Sequence, residues 1–267
     1  MRILVIGGNR FVGKALAKKI VWEYRYNFVD VFNRSGTGPW GTNIIQGDRN
    51  NRKDLDKIDW DKYDTIVDMC LFKIEQFELI KNHIPIHTNY IFVSSGAVDY
   101  IDTNSFGDYA VEKMDIEKAL LKSSLNYKII RPSYIVGMGN HRPRLGYYIS
   151  QLKNNEPITI DGDGNYPINL VFAKDVVDCL IKLIVDDKRT YETYNICSDE
   201  SITINSLIEF LKQELDIENH EIINTVDSLF PNQSFEFDNT KIKDDYNVNF
   251  TDLKQGIIKY IGEYNEL

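Results

Sequence analysis

Tyr109 and Lys113 stand at i and i+4 in the run Tyr109-Ala110-Val111-Glu112-Lys113. A helix there carries the phenol and the amine on one face at neighbouring heights. The pair can do acid–base chemistry. A phenol with an ordinary pKa of about 10 is a spectator at neutral pH, but an adjacent ammonium stabilises the phenolate and is expected to lower that value. Tyr109 would then exchange a proton with a carbonyl or alcohol oxygen. With sixteen tyrosines in the chain, chance Tyr-x-x-x-Lys pairs are common and usually mark exposed helix surface. Position sets this one apart, because it follows an apolar run that ends Phe92-Val93-Ser94-Ser95-Gly96. The carboxyl end of a central strand is where open α/β sheets bind ligands.

A second constellation opens the chain: Arg2 to Ile6 reads as a strand, Gly7-Gly8-Asn9-Arg10-Phe11-Val12-Gly13 as a turn, and the residues that follow as a helix. Gly7 and Gly8 can take backbone angles closed to other residues and let a pyrophosphate approach the main chain, while Gly13 lets the helix pack against the strand. The helix start supplies unpaired N–H groups to phosphate oxygens. Strand, glycines and helix together point to dinucleotide binding rather than to a plain tight turn.

These sites need a scaffold, and the first half of the chain has the rhythm of one. Short β-branched runs at Arg2 to Ile6, Phe28 to Asn33, Asn43 to Gln46, Thr65 to Met69, Asn89 to Ser94 and Tyr127 to Arg131 predict six strands. Helical spacing of apolar residues predicts helices at Gly13 to Tyr24, Ile74 to Asn82 and Tyr109 to Lys122. The fold class is therefore α/β, a doubly wound parallel sheet. After Pro132 the glycines and prolines at 137, 139, 143, 146, 157, 162, 164 and 167 interrupt the alternation. Residues 1–135 are expected to form the dinucleotide-binding domain and 136–267 a smaller lobe partly interleaved with it, with helices at Lys174 to Val185 and Thr203 to Leu215.

Charge and composition narrow the partners. The net charge of −9 gives no long-range attraction for polyanions, which argues against nucleic acid. The opening Ile3-Leu4-Val5-Ile6 is far too short for a membrane span. Cys70, Cys179 and Cys197 form no CxxC pair, so free thiols and a cytoplasmic location are expected. His83 and His87 are four apart, but Pro85 breaks the helix that would align them as ligands, and no metal site is expected.

The glycine turn resembles the GGxGxxG fingerprint of the extended short-chain dehydrogenase/reductases, the NAD-dependent epimerase/dehydratase family. Arg131-Pro132-Ser133 with Ile135-Val136-Gly137 is similar to that family's RPxxxxG segment, and Gly162 to Asp178 resembles its segment leading into a domain-joining helix. Tyr194-Asn195-Ile196 followed by Ser201-Ile202-Thr203 resembles its late strand and helix entry. The resemblance implies a Rossmann domain with a C-terminal substrate-binding lobe, and a homodimer by analogy. It makes Gly7, Gly8, Asn9, Arg10, Phe11 and Val12 cofactor residues, with Asp48 matching the family's adenine-contacting acid. Ser95 would hold the reacting oxygen, Tyr109 would supply the proton, and Lys113 would tune Tyr109 and bond the nicotinamide ribose.

The departures from the pattern are informative. Arg10 stands where the middle glycine is usual, and the second strand ends Asn33-Arg34 in place of an acid that accepts from both ribose hydroxyls. Two arginines suit a 2′-phosphate, so NADP(H) is preferred over NAD(H). Ser95 and Tyr109 are 14 positions apart, shorter than in most extended members, and the fourth strand ends Asp68-Met69-Cys70 without the usual alanine pair. The chain is thus similar to the atypical GGTRFVG group. Arg142 and Arg144, with Tyr147 and Tyr148, could clamp a diphosphate and stack a base, a solvated loop being the alternative. The resemblance implies an oxidoreductase that reduces a 4-keto-6-deoxy sugar on a nucleotide; the alternatives are an epimerase with tightly held NAD and a non-catalytic dinucleotide-binding module.

Overall fold

The computed structural model describes residues 1–266 apart from 24–27, 104, 219–220 and 226–228. Seven parallel strands form the main sheet: β1 (Arg2–Ile6), β2 (Phe28–Asn33), β3 (Asn43–Gln46), β4 (Thr65–Asp68), β5 (Asn89–Val93), β6 (Tyr127–Pro132) and β10 (Glu192–Ile196). Their order is β10-β6-β5-β4-β1-β2-β3, so the direction of winding reverses between β1 and β4. Ligands of open α/β sheets sit at such a reversal, outside the carboxyl ends of the strands.

The strands are apolar on both faces because both faces are covered. Ile3, Val5, Val31, Val67 and Ile91 pack beneath α1 (Phe11–Glu23) and α6 (Ala173–Val185). Leu4, Ile6, Phe32, Ile66, Tyr90 and Phe92 pack beneath α2 (Arg52–Leu55), α3 (Ile74–Ile80) and α4 (Gly107–Leu121). Each fully buried aliphatic side chain of this kind contributes about 1.5–3 kcal/mol. The six expected strands are present, and the seventh, β10, comes from late in the chain to pair with β6 from Glu192 against Lys128 to Ile196 against Pro132. It is an edge strand, and its sequence Glu-Thr-Tyr-Asn-Ile alternates polar and apolar as one open side requires. Tyr24, the expected end of the first helix, lies outside the described residues.

A second core lies beside the carboxyl ends of the strands. β7 (Tyr134–Val136), β9 (Pro167–Phe172) and β11 (Ser201–Thr203) form one small sheet, and β8 (Ile158–Ile160) pairs with β12 (Ile222–Asn224). Apolar residues of α5 (Arg144–Asn154), α7 (Ile204–Leu215) and α9 (Leu253–Asn265) fill this core, while α8 (Thr240–Tyr246) returns to the main sheet through Ile242. Thr203 caps α7 by accepting from Ser206 N, the role its position predicts.

Candidate active site

At the end of β1 the chain turns on Gly7, whose φ is +88° and whose N–H donates to Phe32 O at 2.9 Å. Gly8 serves differently from expectation: its φ is not positive, and what it supplies is space against Val5 and Val31, which a Cβ would meet at 2.9 and 3.1 Å. A Cβ on Gly13 would stand 2.5 Å from Gly7 O, so only glycine lets α1 begin this close to the turn. The turn thus leaves a backbone cradle that fits a dinucleotide pyrophosphate. With arginine in place of the middle glycine, the unusual backbone angle falls on the next residue, Phe11, at φ +43°, while Arg10 is exposed. Val12 is buried and serves the core.

Asn9 donates to Ser35 Oγ at 2.7 Å and Thr37 Oγ1 at 3.0 Å, tying the turn to the loop after β2. Asn33 braces that same loop: its Oδ1 accepts from Ser35 Oγ and Gly36 N, and its Nδ2 donates to Thr37 O. Its side chain is therefore spent locally. Arg10 and Arg34 are exposed, and neither guanidinium has an acidic partner among the described residues. Asp48 Oδ1 accepts from the backbone and side-chain nitrogens of Asn50, an ordinary turn bracing.

Sequence reasoning missed the next residue. Arg49 is buried and forks onto Asp68 at 2.7 and 2.9 Å, with Tyr90 OH donating to the same carboxylate at 3.0 Å. Cys70 Sγ lies 3.5 Å from Arg49 Nη1, and a Cβ on Gly7 would come within 2.9 Å of that sulfur. An acid closing an otherwise buried strand was the available signal, since a buried carboxylate needs a partner.

At the end of β5 the Ser95 hydroxyl accepts from Ala97 N at 3.2 Å and lies near enough to the Tyr109 phenol to favour its charged form. Tyr109 leaves 41% of its surface open, yet its hydroxyl end lies deep, and burial pushes the phenol above its ordinary value against the opposing effects of Ser95, Arg144 and Arg142. Lys113 is only 2% exposed. Its amine donates to Leu71 O and Val93 O, both at 2.8 Å, and packs over Phe72 and Phe92. Burial pushes it down to about 7. The expected lowering of the phenol by Lys113 is thus corrected. The amine is turned into two carbonyls, 5.9 Å from the Tyr109 ring centre, and the cations that pull the phenol down are the arginines.

Arg142 and Arg144 are brought to the site. Arg144 lies 4.6 Å over the Tyr134 ring, with Nε 3.3 Å from Leu229 O, and no acid neutralises it among the described residues. Burial lowers its pKa, the signature of a cation held without a counter-charge. Tyr147 is turned away from this function: its hydroxyl shares a 2.8 Å hydrogen bond with Thr159 Oγ1 and accepts from Thr159 N, and its ring joins the lobe core. His83 stacks on Trp60.

Residues 87–197 match the profile of the NAD dependent epimerase/dehydratase family. Among solved structures, UDP-glucose 4-epimerase from Thermotoga maritima, with UDP-glucose, has a TM-score of 0.81 at 16% identity over 100% of this chain and 99% of that one. dTDP-glucose 4,6-dehydratase from Bacillus anthracis, in complex with NAD, gives 0.80 at 16% identity over 100% and 97%. UDP-glucuronic acid 4-epimerase from Bacillus cereus, with UDP-glucuronic acid and NAD, gives 0.76 at 17% identity over 100% and 99%. The chloroplast stem-loop binding protein of 41 kDa b of Arabidopsis thaliana is 26% identical over 237 residues, and the match covers 77% of this chain and 61% of that protein. Residues 87–197 thus match the NAD dependent epimerase/dehydratase family model, and the chain shares its fold from end to end with the solved structures described here.

Proposed function

We propose that the protein is an NADP(H)-dependent oxidoreductase that reduces a keto group, the 4-keto group of a 4-keto-6-deoxy sugar, on a nucleotide-linked substrate. The observation that carries this reading is the approach of the Ser95 hydroxyl to the Tyr109 phenol at the carboxyl end of β5, beside the glycine cradle. A bound nicotinamide dinucleotide supplies the hydride. Ser95 holds the carbonyl oxygen, and Tyr109 delivers the proton to it. A phenol kept protonated by burial is ready to donate, which suits reduction. In its charged form Lys113 has three donors, of which Leu71 O and Val93 O take two, so one remains for a ribose hydroxyl.

Arg10 and Arg34, exposed and without an acidic partner among the described residues, support a 2′-phosphate and hence NADP(H). NAD(H) is the competing cofactor, since two of the structures described above contain NAD. Arg144 and Arg142 suit the diphosphate of the substrate. The free cysteines fit a cytoplasmic enzyme.

A second reading, an epimerase that keeps its dinucleotide through the cycle, draws support from the 4-epimerases among the similar folds. A third, a non-catalytic module, draws on the stem-loop binding relative, of which this chain spans 61% of the length; the retained Ser95, Tyr109 and Lys113 and the net charge of −9 speak against it. The test is a titration with NADPH and NADH, followed by a nucleotide-sugar panel with the preferred form. NADPH consumption supports the reductase; tightly held NAD released on denaturation, with isomerised sugar, replaces it by the epimerase; no turnover on any member of the panel overturns both.

A further inference from the structure

The candidate site is assembled from two separate pieces, the end of β5 with the segment after it and the helix α4, and one buried carboxylate touches both. Glu117 lies one turn beyond Lys113 and two beyond Tyr109 on the same face of α4, and it is 2% exposed. Its Oε1 accepts from Ser94 Oγ at 2.5 Å. Arg131 on β6 closes on it from the other side, with Nε at 3.1 and 3.2 Å from the two carboxylate oxygens and Nη2 at 2.5 Å from Oε2. The remaining arm, Nη1, donates to Asp99 at 2.8 Å, in the 3-10 segment Gly96–Thr103 that follows Ser95.

We propose that Glu117 and Arg131 form a positioning clamp that sets the register of Ser95 against Tyr109 and Lys113. This rests on the acid–base roles proposed above. Ser95 is bracketed in sequence, held through Ser94 on one side and Asp99 on the other, and both brackets end on the same carboxylate–guanidinium pair. Forked hydrogen bonds fix angle as well as distance. A buried ion pair adds little net stability over an apolar filling, so its geometry is its main contribution. That geometry matters at a reacting centre, where a displacement of about 1 Å costs about 10²-fold in rate.

The discriminating variant is Glu117→Gln, which keeps the side-chain size and an acceptor for Ser94 but removes the charge that holds the Arg131 fork. NADPH affinity should stay unchanged, while turnover on the accepted substrate falls by about 10²-fold with little change in KM. The alkaline limb of the rate should move to lower pH, because the Glu117 charge helps to keep Lys113 protonated. By hydrogen exchange, the amides of residues 94–103 should open faster as well as those of α4. Asp99→Asn, on the more exposed arm, should show the same pattern more weakly and serves if Glu117→Gln does not fold. The clamp is overturned if folded Glu117→Gln turns over at the wild-type rate, or if faster exchange is confined to α4. If the wild type turns over nothing in the panel, yet exchange in the variant spreads to residues 94–103, the clamp stands and the proposed function falls.

Discussion

The two ends of the cleft are built on different principles. At the proposed nucleotide end the surface is mostly backbone: Gly7 turns the chain, Gly13 lets α1 press onto it, and the nearby polar side chains of Asn9, Asn33 and Asp48 are spent bracing loops. At the proposed chemical end the groups are side chains brought from distant parts of the sequence, with Ser95, Arg144 and Arg142 all acting on the Tyr109 phenol. A backbone site tolerates no added atom but asks little of side-chain chemistry. A side-chain site depends on charges and hydroxyls that can be removed one at a time.

That contrast can be broken most severely at Gly13. A Gly13→Ala methyl would stand 2.5 Å from Gly7 O, so dinucleotide binding should be lost, with a stability cost of about 1–3 kcal/mol, read by NADPH fluorescence and thermal unfolding. Retained binding would mean that the cradle is not a backbone site. Arg34→Ala should weaken NADPH by about 1.5–3 kcal/mol while leaving NADH unchanged, since only one of the two carries the 2′-phosphate. Equal losses for both would remove the argument for NADP(H).

A smaller effect concerns Lys113, whose pKa falls from 10.5 in the unfolded chain to about 7 in the folded one. Between those values the unfolded state binds more protons, so this group adds stability as pH rises above about 7. The contribution is at most about 1.4 kcal/mol per pH unit. Unfolding midpoints between about pH 7 and 8.5 should therefore climb more steeply in the wild type than in Lys113→Met. Parallel curves would mean that the amine is not held in a dry site. Smallest of all, Tyr147→Phe should cost only about 0.5–1.5 kcal/mol through its Thr159 hydrogen bonds and leave substrate KM unchanged.

How legible each end was follows from the same difference. Strand, turn and helix at residues 2–23 are neighbours in sequence, so periodicity and glycine spacing predicted them, and Tyr109 with Lys113 needed only the i, i+4 rule. The face of α4 was legible; the direction of the Lys113 amine was not, because Leu71 O comes from the segment after β4 and Val93 O from the end of β5. The pairings of Arg49 with Asp68 and of Glu117 with Arg131 were hidden for the same reason: Asp68 at a strand end signals a need for a partner, but strand order chooses which residue meets it, and no local pattern encodes that. Asn33 was read for what it lacks, a charge, whereas its amide closes the loop from Ser35 to Thr37. Tyr147 had a suitable composition around it, but the turn of α5 points its hydroxyl at Thr159.

The convergence of a hydroxyl, a phenol and a dinucleotide cradle is tested most directly by Tyr109→Phe, compared with the wild type for NADPH affinity and for turnover on the same substrate. Removal of one oxygen should leave the affinity intact and lower turnover by about 10²–10⁴-fold. Wild-type turnover by the phenylalanine variant would contradict the account.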